Sequence, residues 1–322
     1  MTISVKFINL WPGKSAKSLV SNFFLPLLEE VFQDRIDLTS GNVKTNLAVS
    51  ANFPLANLNK GARVRDKISS IQKNFTSSNQ LKISTDIRNF EPTYSEAENA
   101  EKSIWFTGEN ERPPSHTFWD SFLSFETDNL MAKNNYHPIW VWNLSWFDKP
   151  KAVGFNSSND TVETILRPRD LDGRNFSDKL FCCVFLNNLT PWRKRIIDYL
   201  SQIGKVDVYG GLFGGSIQDK NSISVNYKFI LCFENDLYPG YVTEKALEGW
   251  QSKAVPLYWG MDSMGYLNSK AFIELTEVEK FLEEVNEVNS SRDKWLSIVN
   301  EPFLTRQYEI SELVESLRKQ LK

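Results

Sequence analysis

The sequence predicts an α/β protein of two domains. Three observations carry that prediction. Short apolar runs of strand type alternate with amphipathic helical stretches; a segment rich in Asn, Asp, Ser, Gly and Pro interrupts the alternation at about residues 150–178; and 322 residues are enough for two domains of ordinary size. The expected boundaries are 1–150 and 151–304, with a C-terminal helix over 305–322 packing near the first domain. Two such domains place a site in the cleft between them, near the carboxyl ends of strands.

The first domain opens with an apolar run over residues 5–11, closed by Pro12-Gly13, which reads as a strand ending in a turn. Residues 17–33 carry Val20, Phe24, Leu27, Leu28 and Val31 at helical spacing, with Pro26 inside the pattern. Further strands are expected at 46–51, 103–106 and 139–142. In the second domain, 180–186 is a strand. A helix follows over 191–203, with Thr190 as cap, Pro191 at its first position and Gly204 as its stop. Strands at 205–209 and 229–233, a helix at 242–252, and strands at 254–259 and 271–275 come next. Helices at 278–288 and 292–299 precede a tail in which Ile310, Leu313, Val314, Leu317 and Leu321 form an apolar stripe at helical spacing.

Composition removes several classes of function. A net charge of −3 gives no reason to expect a nucleic-acid partner. Two histidines, His116 and His137, argue against His-rich metal sites and a Ser/His/Asp triad, so catalysis must come from carboxylates and cations. Cys182, Cys183 and Cys232 have no CxxC spacing and read as reduced thiols, with the adjacent pair on opposite faces of a strand. No leader pattern and no membrane-length apolar run is seen. The expected location is therefore the cytoplasm, with peripheral contact at the inner membrane face left open.

Two helix starts carry the wrong charge. Arg193, Lys194 and Arg195 fall in the first turn after Pro191, and Lys245 in the first turn after Gly240-Tyr241-Val242-Thr243. A helix N-terminus is itself partially positive, so cations there are unfavourable unless an anion lies between them and the free backbone N–H groups. A diphosphate is such an anion; solvated surface charge is the competing reading. Tyr241, Glu244 and Lys245, at i, i+3 and i+4, would share one face of the entering turn and could meet a ring, a hydroxyl and a phosphate. Alternatively, Glu244 simply pairs with a neighbouring cation.

Residues 227–235 (Tyr-Lys-Phe-Ile-Leu-Cys-Phe-Glu-Asn), then Tyr241-Val242-Thr243-Glu244-Lys245, then Val255-Pro256-Leu257-Tyr258-Trp259-Gly260 resemble the signature of the α1,3/α1,4-fucosyltransferases, glycosyltransferase family 10. The resemblance extends over about residues 100–275 and only loosely, through Trp11-Pro12-Gly13, over the first hundred. It implies a GT-B fold, two Rossmann-like domains facing each other across a cleft. The second would bind GDP-fucose and the first would face the acceptor glycan. By matching position, Arg193 and Lys245 would hold the diphosphate, and Asn235, Tyr241 and Glu244 would contact ribose, phosphate or fucose. Trp105-Phe106-Thr107-Gly108-Glu109-Asn110 matches the family's segment for the general base, which makes Glu109 the candidate.

The implied reaction inverts the sugar in one displacement, with Glu109 taking the acceptor proton and the cations stabilising the departing GDP. Glu244 could stabilise oxocarbenium character. No cofactor is then required beyond the donor, although a divalent ion could stimulate. Another GDP-sugar as donor, or a glycan- or nucleotide-binding protein without turnover, are the alternatives. Three other features compete for attention. Asp170-Leu171-Asp172 has the form of a metal-binding triplet but lies among Arg167, Arg169 and Arg174, where solvation or Arg pairing is expected. The glycine-rich run 210–215 lacks dinucleotide or P-loop spacing and reads as a turn. His116 reads as an ordinary loop histidine.

Overall fold

The computed structural model describes residues 2–10, 14–40, 45–51, 94–115, 117–127, 133–147, 160–210 and 219–322. Trp11-Pro12-Gly13, His116 and Gly211, Gly214 and Gly215 of the glycine-rich run lie outside them.

Two parallel sheets organise the chain. The first comprises β1 (Thr2–Ile8), β2 (Arg35–Leu38), β3 (Leu47–Ser50), β4 (Lys102–Phe106), β5 (Ser121–Ser124) and β6 (Asn134–Tyr136), in the order β2-β1-β3-β4-β5-β6. The second comprises β7 (Leu180–Phe185), β8 (Val206–Tyr209), β9 (Tyr227–Phe233), β10 (Val255–Trp259) and β11 (Ile273–Glu274), in the order β11-β10-β9-β7-β8. Each begins at its first strand, goes outward by one, then reverses. The reversal creates a crevice between β1 and β3, and between β7 and β9, at the strands' carboxyl ends, where open α/β sheets take their ligands.

The strands are apolar where both faces are covered. β3 and β4 are buried almost throughout, and so is β9. Cys182 and Cys183 fall on opposite faces of β7, each in a different hydrophobic cluster, and all three cysteines are buried thiols. One cluster is confined to the outer face of the second sheet, around Phe229, Leu257, Phe281 and Trp295. The largest runs through both halves, joining Phe24, Leu28 and Phe106 of the first to Leu247, Trp250 and Tyr258 of the second. An apolar seam of this kind holds the crevice walls in fixed relation.

Several local expectations change. Residues 139–142 are not a strand but part of a 3-10 helix, Ile139–Asn143, entered through Pro138 and packed on the helix Glu244–Gln251; Ile139 N–H donates to Val242 O at 3.0 Å. The run is apolar because it plugs the seam. The strand expected at 271–275 shrinks to Ile273–Glu274, because Asn268 caps a 3-10 turn at Ser269–Ala271. The helix expected at 242–252 starts later, at Glu244. The segment around Pro26 is helical from Lys14 to Phe32, with a π-helical stretch at Val20–Phe24. Leu25 N–H reaches Val20 O, five residues back, which widens the turn just where Pro26 has no N–H to give. Within the polar connection, a helix at Val162–Ile165 carries a Thr161 capping box. The C-terminal helix, Ile310–Leu321, lies on the helix Leu25–Phe32, and Arg318 Nε donates to Val31 O at 3.1 Å.

Candidate active site

A cleft of about 330 Å³ opens at the β7/β9 crevice, lined by the ends of both strands, by Arg193, by Lys220 and Ser224, by Tyr241, Glu244, Lys245 and Glu248, and by Gly108 and Glu109 from the first half. The strand order alone places a ligand there. What the side chains add is charge.

Glu234, directly after β9, organises the cations. It is fully buried, and its carboxylate accepts from Thr243 N at 2.8 Å, Thr243 Oγ1 at 2.7 Å and Tyr258 OH at 3.3 Å. Lys245 Nζ lies 3.4 Å from the same carboxylate and 3.0 Å from Thr243 Oγ1. Burial raises the Glu234 pKa, opposed by Lys245 and the Thr243 bonds. For Lys245, burial works against the charged form, but Glu244 and Glu234 outweigh it and hold its pKa above the usual lysine range. Glu244 is held low: burial would raise it, and Lys245 and Lys220 more than reverse that. The ammonium is therefore favoured in its charged form, and the Lys245 side chain remains 27% accessible at the cleft.

Arg193 is tied to the same hub through the backbone. The helix Pro191–Leu200 is capped by Thr190, and its third residue turns inward. Arg193 Nη2 donates to Glu234 O at 2.9 Å and to Asn235 Oδ1 at 3.3 Å, and Nη1 donates to Asn188 O at 3.1 Å. Thus one residue fixes both cations, by its carbonyl and by its carboxylate. Lys194 and Arg195 do not join them. Both are exposed, and Lys194 pairs with Asp198 at 2.6 Å, because successive helical residues are rotated by about 100°. Of the three cations at this helix start, only Arg193 faces the cleft.

Tyr241 requires another correction. Thr243 is the cap of the helix Glu244–Gln251, so Tyr241 precedes the helix and shares no helical face with Glu244 and Lys245. Its ring is 1% exposed and meets Phe125 edge-on at 4.9 Å. It lines the cleft as a wall.

Glu109 stands across from this group. Thr107, at the end of β4, accepts from Glu109 N at 3.1 Å and donates to Glu109 O at 2.7 Å, so the turn is bonded on both sides of the carboxylate. Solvent reaches the side chain at the cleft mouth, yet crowding by the two halves partly desolvates it. That desolvation raises its pKa; Lys245 lowers it, while Glu244 and Glu111 raise it further. Asn235 is exposed at the rim.

Three contributors escaped the sequence reading. Glu234 sat inside the Phe-Glu-Asn run, where burial next to a later cation was the available clue. Lys220 and Glu248 pair at 2.6 Å in the cleft wall and have no local signature. A second hollow, about 520 Å³, adjoins the cleft through Arg193 and Asn235 and is lined by Trp192 and Trp259, whose rings are 4.4 Å apart. Among the rival features, Asp172 pairs with Arg174 on the surface, and Gly210 stands at the end of β8. Among the described residues no group of three or more His, Cys, Asp or Glu could hold a metal ion, and no helix is long and apolar enough to cross a membrane.

Two parallel-sheet α/β units, with an anion-suited cleft at the switch point of the second and a carboxylate facing it from the first, define a GT-B type protein. Residues 177–300, which contain the second sheet, match glycosyltransferase family 10 (fucosyltransferase), C-terminal region. The chain is 32% identical over 231 residues to the alpha-(1,3)-fucosyltransferase of Helicobacter pylori, covering 65% of this chain and 47% of that protein. It is 33% identical over 125 residues to the human 4-galactosyl-N-acetylglucosaminide 3-alpha-L-fucosyltransferase 9, covering 35% and 34%. The chain thus spans less than half the length of these curated relatives. In fold it is similar to an alpha1,3-fucosyltransferase crystallised with GDP (TM-score 0.65, 17% identity, 99% of this chain and 90% of that one). The same protein type crystallised with GDP-fucose gives a TM-score of 0.63 at 16% identity, covering 100% and 90%.

Proposed function

We propose that the chain transfers fucose from GDP-β-L-fucose to a hydroxyl of an acceptor glycan, an N-acetylglucosamine-type sugar taking an α1,3 or α1,4 linkage, with inversion at the anomeric carbon. The observation that carries the proposal is the facing arrangement in one cleft: Arg193 and Lys245, both fixed by Glu234, on one wall, and Glu109 on the other. Support for fucose as the sugar comes from the similarity to alpha-(1,3)-fucosyltransferases.

In this reading the diphosphate lies against Arg193, Lys245 and the N-terminus of the helix Glu244–Gln251. These groups are preorganised where negative charge grows as GDP departs. That positive charge is built into the chain, so the proposal needs no metal ion. Glu109 accepts the proton of the attacking hydroxyl, and its raised pKa makes it a stronger base than a free carboxylate. Asn235, Tyr241 and Glu244 contact ribose, phosphate or fucose. The pair Glu244 and Lys245 stays charged, so a carboxylate remains near any oxocarbenium character.

Incubation of the chain with GDP-fucose and lactosamine-type acceptors tests this directly. Proton NMR of the product is expected to show a new α-fucosyl signal and to report the linkage. A β-linked product would contradict inversion, and transfer from GDP-mannose in preference to GDP-fucose would contradict the donor.

A further inference from the structure

The two loops that carry the opposing halves of the cleft are joined to each other by side chains that touch neither face of it. Asn110, next to Glu109, donates through Nδ2 to Asp236 Oδ2 at 2.7 Å, and Asp236 is next to Asn235. Arg112 donates through Nη1 to Asn110 Oδ1 at 3.0 Å, orienting that amide so that its N–H₂ faces Asp236. The Arg112 guanidinium lies over the Tyr238 ring, 3.3 Å from its centroid, and pairs with Glu126 at 3.1 Å. Tyr238 OH donates to Glu126 at 2.9 Å, closing a ring of contacts between residues 110–126 and 236–238. The backbones are equally close. A Cβ on Gly240, where φ is +80°, would meet Phe125 O at 2.5 Å.

We infer that Asn110, Arg112, Asp236 and Tyr238 form a latch between the two halves that sets Glu109 opposite the diphosphate-facing cations, making them positioning residues for transfer. This rests on the function proposed above. The physical need is plain. Glu109 is on a turn at the cleft mouth, exposed to solvent, and its backbone bonds, to Thr107 and Glu111, stay within that turn. A turn so placed keeps register with the other half only through contacts that cross over, and misplacement of a proton acceptor by about 1 Å costs up to about 100-fold in rate. Asn110 and Arg112 supply those contacts on either side of Glu111. None of the four lines the cleft that holds Arg193 and Lys245. Their loss is therefore expected in turnover and not in nucleotide affinity.

The test uses Asn110→Ala, Asp236→Ala, their double variant and Asp236→Asn in the full chain. Turnover with GDP-fucose and lactosamine, GDP affinity by calorimetry, and thermal midpoints are measured for each. The latch predicts that each alanine variant loses about 10-fold or more in kcat, with GDP Kd unchanged. It further predicts a double variant no slower than the worse single, since both break one contact. Asp236→Asn, which still offers Asn110 an oxygen, recovers most of that loss. Wild-type kcat in both singles, losses that multiply in the double, or GDP affinity falling in step with kcat would each overturn it. A wild-type chain inactive with GDP-fucose would instead end the proposed function, so the two failures are read separately. Arg112→Lys, a gentler change at the surface, gives the same kcat-against-Kd comparison if the alanine variants do not fold.

Discussion

At the scale of single residues, the cleft is a set of charges whose states are fixed by their neighbours. Lys245 both faces the cleft and compensates Glu234, so Lys245→Ala has two expected effects. GDP affinity drops by about 10- to 100-fold, the size of a lost charge-assisted bond. Stability drops by about 1–2 kcal/mol, below the cost of breaking a fully buried pair because Lys245 is partly solvated and Thr243 still serves the carboxylate. Calorimetry for GDP and a urea titration separate the two effects; an unchanged GDP Kd would remove Lys245 from the diphosphate wall. Glu109 sets the acid side of the rate profile. A base works when deprotonated, so rate rises with pH through its pKa, which burial has raised above the ordinary 4.5. A kcat/KM profile whose acid midpoint fell at or below 4.5 would contradict that environment.

Elements matter through how closely they lie. Gly249 lets the helix Glu244–Gln251 sit against β9 and β10: an added Cβ would meet Cys232 Sγ at 2.7 Å and Pro256 Cβ at 3.2 Å. In an open helix Gly→Ala gains about 1 kcal/mol of propensity. Here overpacking against two strands opposes it by about 1–3 kcal/mol. Gly249→Ala is therefore expected to lower the thermal midpoint and, by tilting the helix start, to weaken GDP binding; a raised midpoint would show that the helix has room to shift. This scale also explains what could be read in advance. The cap Thr190 with Pro191, and the strands around Cys182 and Phe229, announce themselves locally because capping and β-type runs are local chemistry. Residues 139–142 do not: an apolar run of four is equally a buried strand or a buried 3-10 turn, and only the helix packed on it decides. β5 and β6, Ser-Phe-Leu-Ser and Asn-Asn-Tyr, are too short and polar to show a strand pattern at all. In the cleft, Glu109, Arg193 and Lys245 were legible from motif and charge, whereas the pairing of Lys220 with Glu248 joins residues 28 apart in sequence and leaves no trace there.

The whole molecule is held together by a seam in which one titratable group has no charge to offer. His137 is buried, its Nδ1 3.1 Å from Tyr308 OH of the segment that leads into the C-terminal helix, with Phe23 and Trp142 packed around it. Burial lowers its pKa from 6.5 to about 3. The unfolded chain therefore holds one more proton at this position between those values, and folding stability falls as pH falls below 6.5. The slope approaches about 1.4 kcal/mol per pH unit inside that window and levels off below it. Urea titrations from pH 7 to 4 are expected to show this loss in the wild type and a shallower one in His137→Gln, which keeps an acceptor for Tyr308. Equal slopes would mean that the seam opens before His137 is reached. At this scale too the strand orders β2-β1-β3 and β8-β7-β9 govern function, for they put each crevice at the carboxyl ends and let β4 deliver Glu109 to the mouth of the second.

Everything proposed for the chemistry depends on Glu109 acting on a donor whose diphosphate is held by the opposite wall. The most direct measurement pairs the transfer rate and the GDP dissociation constant of Glu109→Gln with those of the wild type. The expected result is a rate lower by about 100-fold or more, with the GDP dissociation constant unchanged. Transfer at close to the wild-type rate would contradict it.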